Sequence, residues 1–185
     1  KYNYLQVVFS KEDSVFVYYN LGVCAYNLKQ INLAINYYSE AIEIDPHYPY
    51  SYIERAHINA KLGNYQEAIE DYSFILEGNY NQALKALVYK YRGKIYNILE
   101  NHPHSIQDFT QAININPNYL DAYYNRGCCY FCIQEYQAAI NDFSSAIKIN
   151  PQYIQAYSAR GNAYIALGEI TKAEFDFKKV KELGG

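Results

Sequence analysis

The sequence predicts an all-α solenoid of helix-turn-helix repeats, and three observations carry that prediction. The stretch Tyr-x-x-Arg-Gly recurs in phase, so aligned copies start at Ala86, Leu120 and Ile154, a step of 34 residues. A fixed period of that size marks stacked supersecondary units. Within each copy, small and apolar residues return at three- and four-residue steps, the spacing of one helix face and not of a strand. Three copies close on Asp45-Pro46, Asn116-Pro117 and Asn150-Pro151. Proline removes a backbone donor and biases the preceding residue away from helix, so each second helix ends there. A lone pair of amphipathic helices cannot bury its stripe; stacking on neighbours does so.

The elements follow in order. Residues 1–14 read as the second helix of a truncated preceding repeat, because Tyr4 and Val7 fall where Tyr38 and Ala41 fall one copy later. Repeat 1, residues 15–48, carries Tyr18, Leu21, Gly22, Ala34, Tyr38 and Ala41. Repeat 2, residues 49–85, carries Tyr52, Ala56, Ala68 and Tyr72 without a closing proline. The step from Pro49 to Ala86 is 37, so three extra residues sit near Gly78 to Gln82. Repeat 3, residues 86–119, has Tyr89, Arg92, Gly93, Tyr96, Ser105, Phe109, Ala112 and Pro117. Repeat 4, residues 120–153, has Tyr123, Arg126, Gly127, Tyr130, Ala139, Phe143, Ala146 and Pro151. Repeat 5, residues 154–185, has Tyr157, Arg160, Gly161, Tyr164, Ala173 and Phe177. Gly127 and Ala146 are small where two helices must approach closely. The whole reads as one continuous solenoid domain. It starts at Lys1 rather than Met and ends on the charged stretch DFKKVKELGG, so it reads as a section of a longer array.

On these residues the chain resembles the tetratricopeptide repeat family, whose pattern is W-x2-L-G-x2-Y, then A-x3-F, then P. The resemblance spans Val15 to about Leu183, in five in-phase copies. It implies a right-handed superhelical solenoid whose first helices line a concave face. It also implies a protein–protein interaction module that docks a peptide or partner protein in that groove. The alternatives it leaves are a self-associating structural scaffold and a chaperone-binding co-chaperone module.

Comparing the copies with one another adds a prediction. With positions in each repeat numbered as slots 1–34, slot 7 is Arg55, Arg92, Arg126 and Arg160 in four copies. Slot 23 in the same four copies is Asp71, Asp108, Asp142 and Asp176. In the first copy both change together, to Leu21 and Tyr37. Each arginine is therefore expected to reach the aspartate of its own repeat.

Composition narrows the function classes. The net charge is -3 and no basic block stands out, so a nucleic-acid or anionic-membrane surface is not suggested. No apolar run approaches the roughly 20 residues that span a bilayer. Cys24, Cys128, Cys129 and Cys132 form no disulfide framework, which points to a reducing compartment such as the cytoplasm. No nucleophile–base order or glycine-rich phosphate loop emerges, so the segment is not read as an enzyme. His102 and His104 flank Pro103 at a helix start without further ligands nearby, and no metal or cofactor is expected.

Binding is expected on the first-helix stripe that faces away from the second helix, at slots 2, 5, 6, 9, 12 and 13. The candidates in copy one are Tyr19, Asn20 and Asn27, and in copy two His57 and Lys61. Copy three supplies Lys90, Tyr91, Lys94 and Asn97. Copy four supplies Tyr124, Asn125, Cys128 and Cys132, and copy five Asn162. Asparagine has a donor and an acceptor for a peptide backbone, and tyrosine gives contact area at low entropy cost. Lys61, Lys90, Lys94 and His57 make the middle mildly basic, as an acidic or carboxylate-bearing ligand would want.

Two family variants fit incompletely. For the carboxylate clamp of co-chaperone members, Lys90 and Asn125 match, but Lys94 stands where Asn belongs and Gln155 and Ala159 replace basic residues. The asparagine ladder of O-GlcNAc transferases has Asn20 and Asn125 but is interrupted by Glu54, Tyr91 and Ala159. Among the cysteines, Cys129 shares slot 10 with Cys24 and Ala163 and is expected in the core as a small hydrophobe. Cys128 and Cys132, four residues apart, are expected on the groove.

Overall fold

A computed structural model describes residues 11–185, and every regular element among them is an α-helix. The helices belong to two compact units, one ending at Asn79 and one running from Tyr80 to Gly185. The division falls in the stretch that carries the three extra residues. The helix read over residues 1–14 lies largely outside the described residues; its last four belong to the first helix of copy one.

In the first unit α1 (Lys11–Asn27) packs on α2 (Ile31–Ile44), α2 on α3 (Pro49–Leu62), and α3 on α4 (Tyr65–Glu77). In the second unit α5 (Gln82–Ile98), α6 (His102–Ile115), α7 (Leu120–Cys132), α8 (Tyr136–Ile149), α9 (Ile154–Ala166) and α10 (Ile170–Glu182) each pack on the next. The first helices of successive repeats also touch there, α5 with α7 and α7 with α9. This is the neighbour-only contact pattern of stacked repeats.

The turns explain the pairing. Each first helix ends in a left-handed residue at slot 15: Lys29, Gly63, Glu100, Gln134 and Gly168, with φ of 61°, 85°, 56°, 66° and 76°. The slot-16 amide then donates to the slot-11 carbonyl, as in Gln30 to Ala25 and Glu135 to Tyr130 at 2.9 Å. That pairing caps carbonyls the helix leaves open. Three of the second helices, α2, α6 and α8, end on a side-chain turn across the proline. Asp45, Asn116 and Asn150 accept through their side-chain oxygens from the amides of His47, Asn118 and Gln152 at 3.0–3.1 Å. These short polar side chains mimic a backbone turn where the helix stops.

The helices of one repeat meet at slots 8 and 24. A Cβ added at Gly127 would lie 2.7 Å from the Phe143 ring, and one at Gly22 would lie 2.6 Å from the Tyr38 ring. The small slot-8 residue lets the aromatic sink to full burial: Tyr38, Tyr72, Phe109 and Phe143 are at most 1% exposed.

The predicted Arg–Asp pairs are present in all four copies. Arg126 donates through Nε and Nη2 to both carboxylate oxygens of Asp142 at 2.8 Å. Arg55–Asp71, Arg92–Asp108 and Arg160–Asp176 repeat this forked geometry at 2.7–3.0 Å. The aspartates are buried and the arginines mostly so. Burial pushes the Asp71 and Asp108 carboxyls up, and the facing guanidinium pulls them back. A third bond goes to the repeat before: Arg55, Arg126 and Arg160 donate through Nη1 to Ser39, Thr110 and Ser144 at 2.9 Å. Tyrosines flank the guanidinium, as Tyr123 and Tyr130 do for Arg126 at 5.8 and 5.9 Å. Arg55, Arg126 and Arg160 thus each tie their own second helix to that of the preceding repeat.

Candidate peptide-docking face

The face is built from the first helices, and each unit shows its own part. In the first unit Tyr19 stands on α1 at slot 5. It is half-buried against the rings of Tyr38 and Tyr48, with centroids 5.9 and 5.5 Å away. Asn20 turns one amide hydrogen back onto its own helix, donating to the Phe16 carbonyl at 2.7 Å. Its oxygen stays available as an acceptor. Lys61 at the end of α3 crosses to α1, where it donates to the Tyr26 hydroxyl and lies 5.0 Å over that ring. His57 packs near the Tyr72 ring and stands 3.8 Å from Glu54. Asn27 is exposed at the end of α1.

In the second unit the basic character expected around Lys90 is largely absorbed. Its side chain is only 11% exposed, and its ammonium sits 3.9 Å from Asp121. The same ammonium lies 4.2 Å over Tyr91 and 5.6 Å over Tyr119. Lys90 occupies the slot of Tyr19 and Tyr124, so its aliphatic stem packs where those rings pack. Lys94 is half-buried. Asn97 accepts a hydrogen bond from the Cys129 thiol at 3.2 Å, so its oxygen serves the contact between α5 and α7.

Tyr124 repeats the Tyr19 arrangement, with Phe143 at 5.9 Å and Tyr153 at 5.2 Å. Burial pushes its hydroxyl up to about 12. Asn125 repeats Asn20, donating to the Asp121 carbonyl at 2.6 Å. Both slot-6 asparagines therefore present an oxygen and one remaining N–H.

The cysteines separate. Cys129 is fully buried, where its thiol meets Ser105 at 3.1 Å. Cys24, expected in the same core slot, is exposed. Slot 10 is buried by the second helix of the preceding repeat, and no such helix precedes Cys24 among the described residues. Burial pushes both Cys128 and Cys129 up to about 11, so they are neutral thiols at pH 7. Neutral thiols are poor nucleophiles and poor metal ligands.

Three expected residues come together. Cys128, Cys132 and Asn162 line an open cavity of about 150 Å³ between α7 and α9, with Phe131, Phe143 and Ala159 completing it. Phe143 and Ala159 do not stand out in the sequence as binding residues. Phe143 reads as repeat core, and Ala159 reads as a break in the asparagine ladder. The signal was a small residue at slot 6, where the other copies carry large polar ones. Among the described residues no helix is long and apolar enough to cross a membrane.

Comparisons with known proteins agree with this architecture. Family models described as tetratricopeptide repeat match residues 15–48, 37–70, 120–153 and 154–183, and one described as TPR repeat matches 93–131. Tetratricopeptide repeat protein 13 of Homo sapiens is 29% identical over 111 residues, 57% of this chain and 12% of that protein. A DnaJ homolog subfamily C member 7 homolog of Dictyostelium discoideum is 39% identical over 56 residues, 30% of this chain and 10% of that protein. Dynein axonemal assembly factor 4 of Pan troglodytes is 37% identical over 92 residues, 46% of this chain and 21% of that protein. The chain thus matches only a small part of each of these relatives. Among solved structures, MamA protein superimposes with a TM-score of 0.85 at 25% identity, covering 93% of this chain and 92% of that one. YrrB superimposes with a TM-score of 0.79 at 19% identity, covering 95% and 88%, a likeness of fold.

Proposed function

The chain belongs to the tetratricopeptide repeat family, whose repeats form protein-interaction scaffolds, and we propose that it docks a peptide segment of a partner protein along its first helices. One observation carries the reading. Cys128, Cys132 and Asn162, on the stripe facing away from the second helices, share an open cavity between adjacent first helices. Asn125 adds an unspent carbonyl oxygen on the same face, ready for a backbone N–H of an extended segment. The buried residues of α7 are Ala122, Gly127 and Cys129, at slots 3, 8 and 10, so the stripe keeps more of its surface open than that side of the helix does.

The test is direct. Random-sequence peptides selected on the purified chain are measured by fluorescence anisotropy against the chain and against Asn125→Ala with Asn162→Ala. The expected loss is about tenfold or more, the size of roughly 1.4 kcal/mol. An exposed second-helix change, Lys148→Ala, leaves affinity unchanged. Equal affinity for all three proteins would refute the groove.

A second reading, self-association, rests on a different observation. In the first unit Phe16 on α1 and Leu28 in the turn after it are 61% and 70% exposed, and in the second α10 exposes Ile170 and Phe175 at 52% and 66%. Apolar groups this exposed mark contact surfaces when they cluster. Light scattering across a concentration series decides it: a monomer at every concentration sinks the scaffold reading. The carboxylate clamp is disfavoured, because Lys90 already faces Asp121.

A further inference from the structure

The cavity between α7 and α9 has a cause that the copies reveal. Slot 6 holds Asn20, Glu54, Tyr91 and Asn125 in the first four copies and Ala159 in the fifth. The side chain missing at Ala159 leaves open the space over the Phe143 ring. Cys128, Phe131 and Cys132 wall the space from α7, and Asn162 from α9.

No lining residue carries a formal charge, and on the stripe of copies four and five the one charged residue is Asp121 at slot 2, whose carboxylate stands 3.9 Å from the Lys90 ammonium. Slots 5, 6, 9, 12 and 13 of copies four and five hold Tyr124, Asn125, Cys128, Phe131 and Cys132, then Ser158, Ala159, Asn162, Ile165 and Ala166. Burial keeps the Cys128 thiol protonated, so it adds no charge. The same stripe in the first unit carries Glu54, His57 and Lys61. A charged side chain entering the cavity would lose its water and meet no counter-charge. An apolar one loses nothing of that kind and covers Phe143. The volume of about 150 Å³ matches an apolar cavity that takes up benzene.

We propose that this cavity receives one uncharged apolar side chain, of phenylalanine or leucine size, from a partner peptide lying along α7 and α9. The proposal rests on the groove reading above and names what the groove selects. Asn162 at the rim meets the backbone beside the inserted residue. Cys132, exposed and lining the mouth, is covered by the bound segment.

The experiment selects phage-displayed random peptides on the whole chain and then compares Ala159→Gln, which refills the space. Thermal melts establish that the variant folds. As a second block that spares the packing, Cys132 is alkylated with N-ethylmaleimide in a Cys24→Ser background. The expected result is a shared Phe, Leu or Ile at one peptide position. Changing that residue to Asp, refilling with Gln, and alkylating Cys132 each weaken binding at least about tenfold. Bound peptide also slows the alkylation of Cys132. Peptides that lack a shared apolar residue, or that bind both blocked forms unchanged, overturn the proposal. The groove reading then still stands if Asn125→Ala with Asn162→Ala weakens the same peptides. A chain that selects no peptide overturns both.

Discussion

Replacing Arg126 by leucine tests how the array is held together. The change removes two bonds to Asp142 at 2.8 Å, a bond to Thr110 at 2.9 Å, and a guanidinium lying between two tyrosine rings. The side chain of Asp142 is 7% exposed, so its carboxylate is left buried without a counter-ion. Breaking a buried pair from one side costs about 3–5 kcal/mol, mostly from the stranded charge. Thr110 loses little, because its hydroxyl also donates to the Ile106 carbonyl at 2.7 Å. At about 2–4 °C per kcal/mol for a chain of this size, the melting temperature falls by roughly 6–20 °C. The first copy supplies the compensating change, with Leu21 and Tyr37 in the two slots. Arg126→Leu with Asp142→Tyr is therefore expected to recover to within about 2 kcal/mol of the parent, as apolar replacements of buried ion pairs do. Circular dichroism melts of the parent, both single variants and the double variant give the coupling energy. Hydrogen exchange in α7 and α8 localises it. A loss below about 1 kcal/mol for Arg126→Leu, the value of an exposed pair, would refute the reasoning. Additive losses in the double variant would refute it equally.

Four further expectations follow from the turns, the helix contact and the thiols. Gln134→Gly and Glu100→Gly relieve left-handed backbone that costs a side chain about 1–2 kcal/mol, less the entropy glycine loses on folding. Each is expected to raise the melting temperature by a degree or more, and a fall would contradict the assigned cap. Gly127→Ala places a Cβ 2.7 Å from Phe143 and is expected to cost about 1–3 kcal/mol in chemical denaturation. Ala56 is tolerated in the same slot of copy two, opposite Tyr72, so Ala56→Gly gives no comparable relief. Iodoacetamide at pH 8 is expected to label Cys24 and Cys132 in the native chain and to spare Cys128 and Cys129, as mass spectrometry of digests would show. The folded chain holds the protons of Cys128 and Cys129 more tightly than the unfolded one. Their contribution is thus complete below the ordinary thiol value of roughly 8.5. It is lost as pH rises towards about 11. A melting temperature that stays flat across that window would count against buried thiols.

The period, the helix pairs and the aspartate partner of each arginine were legible in the residues, because duplication repeats a local problem and its solution together. Arg92 and Asp108 could be matched from sequence because Leu21 and Tyr37 changed in the same copy. The first-helix stripe was legible in direction and less so in detail. Slot number fixes which way a side chain leaves its helix, and in the structure Cys128, Cys132 and Asn162 line one cavity. It says nothing of what stands across the gap.

Sequence by itself therefore determined the helices, their order and the stripe left over from packing, since all three follow from spacing along one chain. The tertiary structure decided how the stripe is spent. Lys90 turned to Asp121, Asn97 to Cys129 and Tyr124 to Phe143, while Cys24 stayed in solvent. Ala159, the least conspicuous residue on the face, opened its cavity. These outcomes depend on the volume and charge that a neighbouring repeat brings to within a few ångströms, and that distance exists only after the repeats have stacked.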